Sequence, residues 1–220
     1  MTTTLSEAES KALLTNYGVK FLPEALVGSP AEAIAFAHEF ASPMALKLCG
    51  SNIAHKSERG LVHLGVVGSD AIGRSCQELL NAARPEDNAT GVLIAPMASG
   101  LREFIAGISV DPVFGPTVVF GLGGVLAEAI ADVTVRLAPL RRYDAIDMLQ
   151  SLRSQSLFGP FRGEPEVDIA ALADLLCALS VAASEEDGLI AIDLNPVMIV
   201  EGLPIALDAL VEMSSEAGAS

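Results

Sequence analysis

The sequence contains few residues of the kinds that indicate nucleic acid binding or an oxidising compartment. It has 13 lysines and arginines against 28 acidic residues, a formal net charge of −15, so its field would repel a phosphate backbone. Tryptophan is absent, and the three cysteines, Cys49, Cys76 and Cys177, are far apart and in no metal-ligand spacing. We therefore expect a cytosolic protein with reduced thiols and no nucleic acid partner.

Long apolar runs are also scarce. The most apolar stretch, Phe114–Ala131, approaches membrane-spanning length, but it contains Pro116, four glycines and Glu128. These residues favour a buried strand, a loop and a helix start over a membrane helix. Met1–Ser6 has neither a basic residue nor an apolar core, which argues against a secretory signal. Since 51% of the residues are hydrophobic and 19% are charged, we expect a folded globular protein.

Helix and strand patterns alternate along the chain. Two helix starts have serine at the cap and glutamate three residues later, and the second adds proline at the first helical position. The predicted helices are about 7–17, 30–40, 70–83, 143–152 and 168–183. The predicted strands are about 43–48, 61–67, 91–96, 103–110, 117–120 and 133–137, with a strand pair at the end. We therefore predict an α+β protein of two lobes, residues 1–97 and 98–220.

The segment 189–196 brings oxygen ligands together. In a strand, Asp193 and Asn195 share one face, because side chains two residues apart point the same way. If residues 201–202 form a two-residue hairpin turn, the register places Asn195 opposite Asp208, with Cβ atoms roughly 5 Å apart. Such a pair could bind one hard cation. The polar outer face of an amphipathic hairpin also explains these residues, and the prolines of the segment could shift the register by a bulge.

Two segments have compositions that suit an anion. The glycines of 120–124 can bring backbone amides close to a phosphate, although the pattern is neither a Walker motif nor a full dinucleotide fingerprint and also fits an ordinary turn. Arg136, with Arg141 and Arg142, lies near the end of a predicted strand and could meet an anion.

Lys47 and the loop that follows it form a third candidate. Lys47 interrupts an apolar strand, where a charge is costly unless it reaches solvent or an anion. The loop 55–60 gathers His55, Lys56, a serine hydroxyl and Arg59, which suits phosphate contact or a nucleophilic histidine. A solvated loop is the alternative.

Taken in order, these segments resemble the ATP-grasp domain of ADP-forming acyl-CoA synthetases, the β-subunit type related to the succinyl-CoA synthetase β chain. The resemblance runs from about Ser6 to Glu212. The motifs that carry it are Leu46-Lys47, His55-Lys56-Ser57, Gly100-Leu101-Arg102-Glu103, Asp111–Pro116, Gly121–Gly124 with Glu128 and Asp132, and Asp193–Pro196.

The resemblance implies a two-lobed ATP-grasp fold that binds ATP or ADP with Mg²⁺ between its lobes. The residues that it implies in nucleotide binding are Lys47 and Lys56, Gly123 and Gly124, and Arg136 for the phosphates, Ile94–Met97 for the adenine, and Glu103 for the sugar or base. It implies Asn195 and Asp208 as magnesium ligands, His55 as acceptor of the γ-phosphoryl group, and Glu128 and Asp193 as further catalytic residues.

The implied reaction converts an acid, CoA and ATP to acyl-CoA, ADP and phosphate, in either direction. No CoA-binding strand–glycine–helix unit opens the chain, so we expect a separate CoA-binding α-type subunit. The sequence departs from the family's pattern at Leu61, Pro160 and Ala191, where the family usually has glycine, glycine and often glutamate. Two alternatives therefore stay open, a non-catalytic nucleotide-binding or regulatory module and an ATP-grasp ligase that does not use CoA.

Overall fold

The computed structural model describes residues 2–53, 56–124 and 127–214. The helices are α1 (Glu7–Asn16), α2 (Pro30–Ala37), α3 (Ser69–Ala82), α4 (Ala127–Ile130), α5 (Arg142–Ser151) and α6 (Ile169–Glu185). The strands are β1 (Thr2–Thr4), β2 (Ala25–Val27), β3 (Met44–Gly50), β4 (Val62–Val66), β5 (Ala89–Pro96), β6 (Glu103–Asp111), β7 (Gly115–Leu122), β8 (Val133–Leu137), β9 (Leu189–Val200), β10 (Leu203–Ala206) and β11 (Leu210–Ser214). Short 3₁₀ turns lie at Pro85–Asp87 and Gln155–Leu157.

The described residues divide into two compact units. Unit 1 contains residues 2–5, 9–21 and 99–214, and unit 2 contains 6–8 and 22–98. The boundary after residue 98 lies one residue from the predicted division, whereas most of the first 21 residues group with unit 1 instead of the first predicted lobe. The reason is tertiary, because β1 pairs antiparallel with β11 near the other end of the chain.

Unit 1 is built on a seven-stranded antiparallel sheet. The strand order is β1-β11-β9-β6-β7-β8, and β10 pairs with β9 beside this path. Apolar side chains on one face of the sheet, among them Phe104, Phe120 and Leu194, form the core with Leu149 of α5 and Leu176 of α6. The alternate residues of the central strands face away from this core. This second face of the sheet, which we call the open face, carries the polar residues discussed below.

Unit 2 is a four-stranded antiparallel sheet, β2-β5-β3-β4, with α2 and α3 packed on it. Met44, Leu46 and Leu48 of β3 point into the core with these helices. The predicted cap of α2 is confirmed, since the Ser29 hydroxyl accepts a hydrogen bond from the Glu32 amide. The α+β prediction is confirmed by both units. No helix in the described part of the chain is long and apolar enough to cross a lipid bilayer.

Candidate functional site

The β9–β10 hairpin of unit 1 has the predicted two-residue turn. Strand β9 pairs first with β10 and then with β11, and the second set of pairs continues the register of the first. Asn195 and Asp208 lie in the gap between the two sets of pairs, and this register places them opposite each other. The pairs on either side of that gap are Val200 with Leu203 and Val197 with Ala206 on β10, and Asp193 with Leu210 on β11. The backbone bond from the Leu207 amide to the Pro196 carbonyl oxygen, 3.0 Å, keeps this register up to the gap. The predicted hairpin register is therefore confirmed, while metal binding by these residues stays a prediction.

Asp193 and Asn195 both lie on the open face. Each is exposed, whereas Ile192 and Leu194 on the same strand are buried in the core. This alternation follows from the two-residue period of a strand with one covered face. The prediction that the two polar residues share one face of the strand is therefore confirmed.

The Asp193 carboxyl has a raised pKa. Burial is the larger cause, and the charge of Asp208 adds to it. The residue as a whole is exposed, but it borders a shallow cavity of about 200 Å³ whose lining is mostly apolar and includes Ile105 and Val119. The charge of Asp208 near the Asp193 carboxyl concentrates negative charge at this point. A divalent cation would offset that charge.

The glycine loop of 121–124 packs directly on β6. The Gly123 amide donates to the Glu103 carbonyl oxygen, 2.8 Å, and a Cβ on Gly123 would lie 2.9 Å from the Phe104 carbonyl carbon. Gly124 has φ +77°, and a Cβ there would lie 3.3 Å from the Glu103 carboxylate. Glycine is needed here for close approach and a left-handed turn, and the loop lies beside the Glu103 side chain.

Arg136 lies on the other face of the same sheet. It pairs across the β7–β8 ladder with Val118, a core residue, and its guanidinium forms a 2.6 Å ion pair with Asp147 of α5. Asp193 is on the opposite face. The structure therefore does not bring Arg136 together with the polar residues of the open face.

Arg102, in the Gly100–Glu103 motif, is a buried structural residue whose role the sequence did not reveal. Its side chain is 1% exposed, and its guanidinium donates to Glu164 at 3.0 Å. It also donates to three backbone carbonyl oxygens, those of Leu157, Gly159 and Pro165, at 3.1, 3.1 and 2.6 Å. The arginine therefore ties the loop 157–165 to the start of β6. Pro160, one of the departures from the family's pattern, lies in this loop.

In unit 2, Lys47 and Lys56 meet at one carboxylate. The Lys47 Nζ is 2.7 Å from Glu7 Oε1, and the Lys56 Nζ is 2.8 Å from Glu7 Oε2. The Glu7 side chain is 1% exposed, and the lysine side chains are 17% and 20% exposed. The structure thus joins two predicted phosphate-binding lysines through a residue that the sequence suggested only as part of a helix start.

The loop after β3 is fixed by a second ion pair. Arg59 donates to Asp87 through its two terminal guanidinium nitrogens, Nη1 and Nη2, at 2.7 and 2.8 Å. This bond and the Arg84 amide lower the pKa of Asp87 to about 2. Leu61, a departure from the family's glycine, is 1% exposed and belongs to the unit 2 core. The loop is therefore anchored at its end by packing as well as charge.

Ile94 and Met97, predicted near an adenine, have different surroundings within unit 2. Ile94 is fully buried in the core with α2 and α3, so its side chain is a packing group there. Met97 is 37% exposed; its amide donates to the Pro43 carbonyl oxygen at 2.8 Å.

Two predicted catalytic groups cannot be placed. His55 lies outside the described residues, and Glu128 lies in α4 without a described side chain. Of the other motif residues, Asp132 is 4% exposed and accepts from the Arg153 and Ser154 amides, so its role in the structure is to hold the segment after α5.

The oxygen ligands on the open face could fill some, but not all, of the coordination positions of a magnesium ion. Among the described residues, no group of three or more His, Cys, Asp or Glu side chains is arranged to hold a metal ion. Asn195 and Asp208 would supply one amide and one carboxylate oxygen. Magnesium is commonly held by only one or two carboxylates, with water and substrate phosphates as its remaining ligands. The donor chemistry therefore fits an ion that arrives with a polyphosphate.

Comparison with known proteins gives a consistent result. The protein-family model for the ATP-grasp domain matches residues 1–213 of the sequence. The chain is 34% identical to the β subunit of the ADP-forming acetate–CoA ligase I of Pyrococcus furiosus, over 93% of this chain and 90% of that one. It is also 32% identical to the ADP-forming acetate–CoA ligase I of Archaeoglobus fulgidus, over 95% of this chain but 31% of that longer protein.

Comparison with solved structures also finds similar acetyl-coenzyme A synthetases. The structure of acetyl-coenzyme A synthetase 1 of Ca. Korarchaeum cryptofilum, in complex with coenzyme A, Ca-AMPCP and HgCl⁺, superposes with a TM-score of 0.88 at 32% identity and covers 96% of this chain and 94% of that one. A further structure of that protein, at 32% identity with a TM-score of 0.81 and coverage of 94% and 92%, contains Mg-AMPPCP and a phosphohistidine segment pointing towards the nucleotide binding site.

Proposed function

This chain belongs to the ATP-grasp domain family, and on that premise we propose that it is the nucleotide-binding β-type subunit of an ADP-forming acid–CoA ligase. The overall reaction joins an acid to CoA while ATP is converted to ADP and phosphate. The observation that carries the proposal is the match to a chain described as a β subunit of such an enzyme. The match covers 93% of this chain and 90% of that subunit. A protein that shared only the fold would not match a whole subunit at 34% identity.

We assign the open face of unit 1 to magnesium and the nucleotide. Asn195 and Asp208 would hold the ion, with Asp193 beside them, and Glu103 and the glycine loop would contact the nucleotide. Bound magnesium supplies positive charge that offsets the charge of the phosphates. The protein's own part in this is to place oxygen ligands on one face of a rigid sheet.

We assign Lys47 and Lys56 to the phosphates and His55 to phosphoryl transfer. In the transfer step the imidazole nitrogen of His55 forms a bond to the γ-phosphorus while the bond from that phosphorus to the β,γ-bridging oxygen breaks, and ADP leaves with the electron pair. The related structure with a phosphohistidine segment supports a histidine acceptor. We keep Asp193 and Glu128 as proposed catalytic residues that affect this step.

A CoA-binding α-type subunit would complete the enzyme. Two observations support this part of the proposal. The Pyrococcus relative is described as one subunit, and the chain spans 31% of the Archaeoglobus relative, so related activities involve further polypeptide. The identity of the acid depends on that partner in our proposal.

The first test is to incubate the purified chain with γ-labelled ATP and Mg²⁺ and to locate acid-labile phosphate by mass spectrometry. We expect label on His55 that is lost in His55→Ala and strongly reduced in Asp208→Asn. His63→Ala, which changes a histidine in β4, is the matched control and should keep the label. ATP binding without label, with the α-type partner present as well as absent, would refute phosphoryl transfer and favour a non-catalytic module.

The raised pKa of Asp193 gives a second test that needs no turnover. Since the charge of Asp208 contributes to the raised pKa, Asp208→Asn should lower it, although not to the ordinary value, because burial is the larger cause. A carboxyl ¹³C NMR titration measures this directly. Magnesium with a non-hydrolysable ATP analogue should also lower the pKa of Asp193 in the unsubstituted chain, and no response to either change would contradict the proposed ion site.

A further inference from the structure

The Glu7 carboxylate has an arrangement that its place in the sequence does not explain. It lies at the first residue of α1, is almost fully buried, and each of its oxygens binds a different lysine, at 2.7 Å for Lys47 and 2.8 Å for Lys56. Glutamate is seldom buried unless it is paired. All three side chains belong to unit 2.

The pairing uses residues that are scarce in this chain. Lysine occurs only four times in the sequence, at Lys11, Lys20, Lys47 and Lys56, and two of the four meet at Glu7. They come from different elements, since Lys47 lies within β3 and Lys56 lies in the following loop. In a chain with 28 acidic residues, a single buried carboxylate thus collects half of the lysines.

We propose that Glu7 is a positioning residue that holds Lys47 and Lys56 together so that both ammonium groups contact the phosphates of the nucleotide. This inference rests on the proposed function. One carboxylate fixes two ammonium groups at a separation set by its own two oxygens, and adjacent oxygens of a phosphate chain need donors at similar spacing. The bond to Glu7 uses one of the three donors of each ammonium group, so the carboxylate can stay in place while the lysines contact phosphate.

Because Glu7 is negatively charged, electrostatic attraction and positioning predict opposite changes in ATP affinity when it is replaced. With Glu7 the three groups carry a formal charge of +1, and without it +2, so electrostatic attraction alone predicts that loss of the carboxylate tightens binding of ATP. Positioning predicts the opposite. A long side chain that must be ordered when the ligand binds costs affinity, and Glu7→Gln would leave two lysines to be ordered in this way. We therefore expect Glu7→Gln to weaken MgATP binding by roughly tenfold to a hundredfold.

The experiment measures MgATP binding by calorimetry on the purified full chain and on Glu7→Gln, Glu7→Asp and Glu32→Gln. Glu7→Asp keeps the charge and should recover part of the lost affinity. Glu32→Gln is the matched control, because the Glu32 carboxylate accepts a bond from the Gly28 amide and not from a lysine. Circular dichroism confirms that each variant is folded before binding is measured.

A second measurement reports on the lysines without nucleotide. Limited acetylation followed by mass spectrometry can follow every lysine of the chain, with exposed Lys20 as internal reference. In Glu7→Gln, Lys47 and Lys56 should both react severalfold faster relative to Lys20. A residue that merely stabilised the fold would lower thermal stability but leave the affinity of the folded protein unchanged.

The outcomes separate the two proposals. If the unsubstituted chain binds no MgATP, the proposed function is wrong and this inference falls with it, whatever the acetylation shows. If it binds MgATP and Glu7→Gln binds equally well or more tightly, the inference alone is overturned. Weaker binding in Glu7→Gln, partial recovery in Glu7→Asp and an unchanged Glu32→Gln together support it.

Discussion

Arg102 should be among the most important polar residues for the stability of unit 1, although it lies in a motif that suggests nucleotide binding. We predict that Arg102→Met strongly destabilises this unit. Methionine fills much of the same space with an unbranched apolar chain, so the change removes mainly the charge and the donors. Both Arg102 and its acceptors, Glu164 and the carbonyl oxygens of the loop 157–165, belong to unit 1.

The magnitude follows from burial. Breaking a buried ion pair by removal of one partner costs about 3–5 kcal/mol. Glu164 is 21% exposed, so after the substitution its carboxylate can be solvated, which favours the lower part of that range. The loop carbonyl oxygens that lose a donor each add a cost of about 1–3 kcal/mol where water cannot replace it. We therefore expect a loss of at least about 3 kcal/mol in the free energy of unfolding of unit 1.

Arg136→Met is the matched control. Arg136 also forms an ion pair in unit 1, with Asp147, but the two side chains are 39% and 55% exposed. Exposed pairs contribute about 0–1 kcal/mol, so this variant should unfold almost as the unsubstituted chain does.

Urea unfolding followed by far-ultraviolet circular dichroism measures both variants, since the chain has no tryptophan for fluorescence. If the two units unfold in separate transitions, the shift should be confined to that of unit 1. Arg102→Met should bind MgATP within about twofold of the unsubstituted chain when folded, because the guanidinium is occupied by the loop. A loss of stability no larger than that of Arg136→Met would refute the reasoning.

Two further predictions concern groups in unit 1. The Tyr17 hydroxyl donates to Glu186 at 2.7 Å, which together with burial raises the pKa of Tyr17 to about 12. This bond stabilises the fold below the ordinary tyrosine pKa and is lost as pH rises through about 12. In a variant whose other tyrosine is phenylalanine, ultraviolet titration should show this midpoint, and Glu186→Gln should lower it; an unchanged midpoint would contradict the assignment. Gly123→Ala should lower the melting temperature and weaken MgATP binding, because its Cβ would lie 2.9 Å from the backbone of β6, whereas Gly159→Ala, with 4.0 Å to its nearest atom, should do neither.

Local patterns determined much of the fold and part of the candidate site. The helix α2 forms where a serine cap and proline predict it, and the β9–β10 turn and its register follow from a short turn between alternating residues. Asp193 and Asn195 share a face for the same local reason, the two-residue period of a strand.

Only the tertiary structure decided which distant residues meet. β1 joins unit 1 because it pairs with β11, and Glu7 meets Lys47 and Lys56, which are 40 and 49 residues away. Arg102 lies more than 50 residues from its loop, so its neighbours in the sequence did not predict its burial or its partners. The two-residue period of a strand predicts that Arg136 and Asp193 point to the opposite side from their immediate neighbours. It does not predict which face of the sheet the helices cover, because that depends on tertiary packing. Periodicity and capping act between neighbours in the chain, whereas the partner of a buried charge is fixed only when the whole fold excludes water around it.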